Sequence, residues 1–227
     1  MVDGSVKPLL PLAFDEMLLQ VEAVRPKKVL FGGEGASGIA SYLAGWMAGR
    51  GMDVIVLDGA NAFDPYRVSS FARKAVIPPE RLLRGIRIAR AFTCYQMTAL
   101  VTEKLVPLLR PSSSRQHPQK PCVILLGPIT TFLDEDVPER EVGPLFERSL
   151  KRMERMAGEG VPFFLFQPHA FFQQHSGKEI SKNAKRRMPE WMEAKRAYLM
   201  TRLFQFSNLV WKISLEEDEP KLLLEKG

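Results

Sequence analysis

Lys28-Val-Leu-Phe-Gly-Gly-Glu-Gly-Ala-Ser-Gly38 is the stretch on which the fold turns. A short apolar run with strand character gives way to a loop carrying Gly32, Gly33, Gly35 and Gly38. Beyond it, Ile39, Leu43, Trp46 and Met47 recur at helical spacing and predict a helix over Ile39–Arg50, with Gly51 as its stop. The run Val54-Ile-Val-Leu57 follows and ends in Asp58. Strand, glycine loop, helix and strand in this order make a βαβ opening, normally parallel and right-handed.

Working outward, Leu12, Phe14, Met17, Leu18 and Val21 predict a lead-in helix over 12–24, ending before Pro26. After Asp58 the pattern predicts a helix around Asp64–Lys74, a short strand over Ile86–Phe92 and a helix over Tyr95–Leu109. Pro111–Pro121 reads as a polar, proline-bounded loop. Cys122-Val-Ile-Leu-Leu126 is continuously apolar, as a strand buried on both faces of a parallel sheet requires. An acidic loop over Thr130–Gly143, a basic amphipathic helix over Pro144–Ala157 and a strand over Val161–Phe166 come next. A basic loop, 172–187, leads to a helix over Pro189–Phe206 and a closing hairpin of Leu209–Leu215 and Lys221–Glu225. The pattern predicts one α/β domain over residues 1–227, a mostly parallel sheet flanked by helices with an antiparallel hairpin at its end.

Composition fits that expectation. The chain has 227 residues, 45% hydrophobic and 26% charged, which excludes a disordered or collagen-like chain. No apolar run approaches the roughly 18–20 residues a membrane span needs, and Met1–Pro11 carries neither a charged n-region nor a cleavage site. The expectation is an intracellular, cytoplasmic protein without a membrane partner. Cys94 and Cys122 sit in apolar stretches and read as small core residues. His117, His169 and His175 are far apart and lack neighbours at metal-ligand spacing, so no metal site is expected. Asp134, Glu135 and Asp136 read as a solvated loop and Phe163–Phe166 as a core strand. Trp191, Ala194, Tyr198 and Leu199 form a stripe expected in the core or at a partner interface.

The net charge of +6 is unevenly distributed. Lys178–Lys212 holds nine cations, Lys178, Lys182, Lys185, Arg186, Arg187, Lys195, Arg196, Arg202 and Lys212, against Glu179, Glu190 and Glu193. Four of them, Lys182, Lys185, Arg186 and Arg187, fall within six residues, beside Ser176, Gly177 and Ser181. Such a cluster attracts polyanions through counterion release, although most charge runs are simply solvated surface.

The glycine loop has two readings. Gly33-Glu-Gly35-Ala-Ser-Gly38 fits G-x-G-x-x-G, and Asp58 lies twenty residues past Gly38 at a strand end, a dinucleotide-binding fingerprint. Gly33 to Gly38 also fits the glycine frame of a phosphate-cradling P-loop, G-x-x-x-x-G. The motif alone does not choose between them.

Downstream residues carry a family resemblance. Asp58-Gly-Ala-Asn-Ala-Phe-Asp-Pro65 resembles the strand-end segment of bacterial RecA, Asp-Ala-Glu-His-Ala-Leu-Asp-Pro. Pro79-Glu-Arg-Leu-Leu83 and Ala89-Arg-Ala-Phe92, with Thr98 and Leu100, look like the corresponding region of archaeal and eukaryotic recombinases. With the element order, the resemblance covers residues 25–227 and implies a RecA-like P-loop NTPase core.

The same resemblance marks what is missing. The family's ATP hydrolysis needs a Lys on the β/γ-phosphates, a Ser/Thr and an Asp on Mg²⁺, and a Glu to orient water. Here those positions hold Ile39, Ala40, Gly127 and Ala60, while Ser41 is one residue off the hydroxyl position. The resemblance therefore implies no catalytic residues and an inactive ATPase. Gly33, Gly35, Ser37, Gly38 and Asp58 remain as a nucleotide or phosphate site, and amides at a helix N-terminus still suit a phosphate. Without the Lys, a tight turn that binds nothing is favoured, and no cofactor is expected.

In the family, the polar residue at the strand end near Gln167 senses nucleotide, and the loop after it contacts single-stranded DNA. The resemblance thus points to a recombination or repair accessory protein that binds DNA through Lys178, Lys182, Lys185, Arg186 and Arg187, with Lys195 and Arg196 beyond. Phe171 and Phe172 would stack bases or pack on the domain. A regulatory protein that pairs with itself or with an active RecA-like paralogue is the alternative, and a nucleotide- or NAD-binding protein is a third.

Overall fold

Runs of branched and aromatic residues set the strands, and the computed structural model describes residues 28–109, 121–168, 190–216 and 219–227. The helix expected over 12–24, most of the loop after Leu109 and the basic loop 172–187 lie outside them. The strands are β1 (Lys28–Gly33), β2 (Val54–Asp58), β3 (Ile86–Arg90), β4 (Cys122–Leu126), β5 (Phe163–Gln167), β6 (Leu209–Glu216) and β7 (Glu219–Lys226). They form one sheet in the order β3-β2-β4-β5-β1-β6-β7. All pairs are parallel except β6 with β7, the expected antiparallel hairpin.

Side chains alternate across each strand, so one sheet has two cores. Val29, Phe31, Val56, Ile124, Leu126 and Phe166 face α1 (Ala36–Gly49), α2 (Pro65–Lys74) and α3 (Pro79–Leu83). Leu30, Ile55, Val123, Leu125, Phe163 and Leu165 face the other layer. That layer comprises α4 (Cys94–Ala99), a π-helical turn (Leu100–Lys104), α5 (Leu105–Leu108), α6 (Glu139–Gly158) and α7 (Glu190–Phe206). Phe31 and Phe166 stack across neighbouring strands with centroids 4.6 Å apart. Phe132 meets Phe146 edge-on at 5.1 Å on the opposite side. Cys94 and Cys122 are buried free thiols, as their apolar settings predict.

Several boundaries differ from expectation, each for a local reason. α1 starts at Ala36, three residues early, because the Gly35 carbonyl already accepts from the amides of Gly38 and Ile39 at 3.0 and 3.2 Å. α6 starts at Glu139 after Pro138 rather than at Pro144. Pro144 interrupts one bond inside the helix, and Glu139 and Glu141 suit the positive end of its dipole. The helix expected over Tyr95–Leu109 widens into the π turn Leu100–Lys104, which ends three residues before Pro107. Proline supplies no amide and its ring crowds the carbonyl four residues back, here that of Glu103. The short helix α3 was unforeseen; it begins at Pro79, a favoured first helical position.

Candidate functional site

In an open α/β sheet, ligands sit outside the carboxyl ends of the strands. The residues singled out by sequence fall along that edge. Gly33 ends β1 and Gly35 follows it, Asp58 ends β2, Phe92 follows β3, Gly127 follows β4 and Gln167 ends β5.

The glycine turn is tight. A Cβ on Gly33 would stand 2.1 Å from the Ile213 carbonyl oxygen of β6, so glycine is demanded by the sheet itself. Gly35 caps α1 in the left-handed region, φ 84°. Ser37 and Gly38 are half-buried, and a Cβ on Gly38 would lie 3.0 Å from Cζ of Arg67. The Arg67 guanidinium therefore rests over the first turn of α1, with its Nε 3.6 Å from Asp64 Oδ2. Ile39 and Ala40, at the resemblance's Lys and hydroxyl positions, point into the core beneath α1. Ser41 faces elsewhere, as its register predicts. Its Oγ accepts from the Asp64 amide at 3.0 Å and donates to the Ser37 carbonyl at 3.3 Å, tying α1 to the start of α2.

Asp58 is fully buried and engaged. Its carboxylate accepts from the amides of Ala62 at 3.1 Å and Phe63 at 3.0 Å, and lies 3.7 Å from Arg90 Nε. In a dinucleotide fold the acid's strand neighbours the glycine strand. Here β4 and β5 stand between β1 and β2, which sets Asp58 three strand spacings from the glycine turn, about 14 Å.

Gly127, where the resemblance expects an Asp, has φ 63°. A Cβ there would lie 2.5 Å from Thr130 Oγ1 and 2.7 Å from the Ala60 Cβ. Ala60 is itself where the family's Glu would stand. A side chain at Gly127 would thus press against Thr130 and Ala60, and the position has no room for an Asp. Gln167 is buried; it accepts from the Ile129 amide at 3.3 Å and donates to the Pro168 carbonyl at 3.0 Å. No cluster of three metal-ligating side chains occurs among the described residues.

Of the cations expected on DNA, Lys178, Lys182, Lys185, Arg186 and Arg187 lie outside the described residues, as do Phe171 and Phe172. Lys195 is buried, 7% exposed, with Nζ donating to the Asp134 carbonyl at 3.2 Å and standing 5.8 Å over the Trp191 ring. This ammonium is directed into the protein, away from solvent. Arg196 is half-buried and has partners within the fold. The expected aromatic stripe divides: Leu199 is core, while Trp191 and Tyr198 are 44% and 46% exposed. Lys195, Leu199 and Leu203 form the buried line of α7 instead, because the lysine stem packs and its head finds a carbonyl.

Phe92 and Tyr95 went unweighed as functional side chains. They are 65% and 46% exposed beside the end of β3. The Tyr95 hydroxyl donates to Glu141 Oε2 at 2.7 Å, and that bond is the main cause of its raised pKa. Aromatic residues just after a strand end were the available signal.

The fold and its edge define an α/β protein with a seven-stranded, mostly parallel sheet and a terminal hairpin. Comparison with models of known protein families gives no match, and comparison with curated proteins gives none. No helix among the described residues is long and apolar enough to cross a membrane.

Proposed function

We propose that this chain is a catalytically silent RecA-like protein that binds single-stranded DNA, as an accessory in recombination or repair. One observation carries the reading. β5 ends at Gln167 and α7 begins at Glu190, so both ends of the basic segment are anchored near the carboxyl edge, where Lys195 reaches the loop after β4. Exposed Phe92 and Tyr95 follow the end of β3, and exposed Trp191, in the first turn of α7, lies beside Lys195. Cations along a strand's backbone with aromatic faces for its bases are the means by which single strands are held. Phosphate contacts are assigned to Lys178, Lys182, Lys185, Arg186 and Arg187. The absence of hydrolysis is supported by the packing of Gly127 on Ala60 and by the buried Ile39 and Ala40.

The test is anisotropy of a labelled single-stranded oligonucleotide at about 50 and about 200 mM salt, conditions between which phosphate-mediated binding weakens strongly. Arg186→Glu with Arg187→Glu is expected to weaken binding and flatten its salt dependence. Trp191→Ala is expected to weaken binding by about tenfold or more with the salt dependence unchanged, because stacking releases no counterions. Unaltered affinity in the Arg186/Arg187 variant excludes the segment as the site.

A further inference from the structure

The outer face of α6 carries a second cationic feature, outside the carboxyl edge. Arg148, Lys151, Arg152 and Arg155 recur at i, i+3, i+4 and i+7, one face of a helix over about 10 Å of its length. Of the acids of α6, only Glu147 stands beside the row, one turn from Lys151. Glu141 accepts from Tyr95, Glu154 holds Lys28 Nζ at 2.6 Å, and Glu147 holds the Arg202 fork, with Nη2 to Oε2 at 2.9 Å. Each of these three acids has a partner on a neighbouring element, and the fourth, Glu139, stands in the first turn of α6. Among the described residues, Arg148, Arg152 and Arg155 have no hydrogen-bond or ion-pair partner. The Arg152 Nε is buried as well, so one N–H of its guanidinium is withdrawn from water without an acceptor. A groove of about 580 Å³ runs along this face, with Thr102 of the π turn, Pro144 and Glu147 among its walls beside the four cations.

We propose that this groove is a second contact for the phosphate backbone of a single nucleic-acid strand, an inference that rests on the reading of the chain as a DNA-binding protein. Three of the four cations are arginines, whose forks match phosphate oxygens bidentately, and the buried Nε of Arg152 gains the acceptor it lacks. The cations stand on three successive helical levels about 5.4 Å apart, which suits a polymer with regularly spaced charges. The groove also continues the first site. Glu141 and Arg148 are seven residues apart on one face of α6, so Tyr95, bonded to Glu141, stands at the head of the cationic row. A strand leaving the aromatic residues at the sheet edge is led onto the helix.

The closing experiment measures the salt dependence of oligonucleotide binding for the wild type, for Arg148→Gln/Arg152→Gln/Arg155→Gln, and for Arg186→Gln/Arg187→Gln. Thermal melts confirm that each variant folds. Each lost phosphate contact lowers the log–log salt slope by about 0.7, so the α6 variant is expected to lose about 2 and the segment variant about 1.4. A slope unchanged in the α6 variant but lowered in the segment variant overturns this inference alone. The reverse pattern supports the groove and overturns the segment. If the wild type does not bind the oligonucleotide, both fall; capture of polyglutamate by the wild type but not the α6 variant then identifies an acidic protein as the groove's occupant.

Discussion

Gly127 and Ala60 face each other where the resembling family carries two carboxylates, and their contact makes a residue-scale prediction. Gly127→Ala introduces a Cβ into Thr130 and Ala60 at a positive φ, and is expected to cost about 1–3 kcal/mol in a urea melt. Gly158→Ala, in the last turn of α6 with open space around its Cβ, is expected to raise stability by about 0.5–1 kcal/mol. An unchanged midpoint for Gly127→Ala would mean the loop after β4 shifts freely. Residues at this scale were legible as positions more than as roles. Asp58 was visible as an acid at a strand end, but its partners are the amides of Ala62 and Phe63, and backbone donors leave no mark in a sequence. Lys195 read as a surface cation for the same reason: its acceptor is a carbonyl 61 residues away.

Among the elements, β1, β2, β4 and the hairpin were legible because their apolar runs are short, continuous and bounded by polar or turn residues. The helix faces were less so. Trp191 and Tyr198 share helical spacing with each other, yet the buried line of α7 runs through Lys195 and Leu199. Periodicity identifies a stripe without saying which neighbour it meets. α7 is fastened to α6 by the fork of Arg202 on Glu147, and that fork holds the Glu147 carboxyl below its usual pKa. A carboxyl depressed by folding stabilises the protein above its unfolded value and loses that contribution as pH falls through the folded one. Stability should therefore decline from about pH 4.5 downward, and Glu147→Gln should flatten this part of a plot of melting temperature against pH. The effect is small because the pair is partly exposed. An identical acid limb in wild type and variant would show that the fork contributes nothing measurable.

For the whole molecule, the proposal that Gly33–Gly38 is a tight turn without a nucleotide predicts that ATP, ADP and NAD at millimolar concentration leave the melting temperature where it was, since a ligand well above its Kd must raise it. A rise of several degrees with ATP or ADP would show that the glycine turn holds a nucleotide, and a rise with NAD would restore the fingerprint reading of Gly33–Gly38. The general α/β plan was legible from the succession of elements. The strand order was not, because a sequence states which strand follows which and leaves open which strand lies beside which. That order governs how the chain emerges during synthesis. β1 finds no partner in β2; Lys28 pairs with Phe163, about 135 residues later. At ribosomal speed the apolar strand Val29–Phe31 waits on the order of ten seconds for its neighbours. Throughout that wait β1 lacks both of its strand partners in the nascent chain, and a molecule cut short before β5 never acquires them.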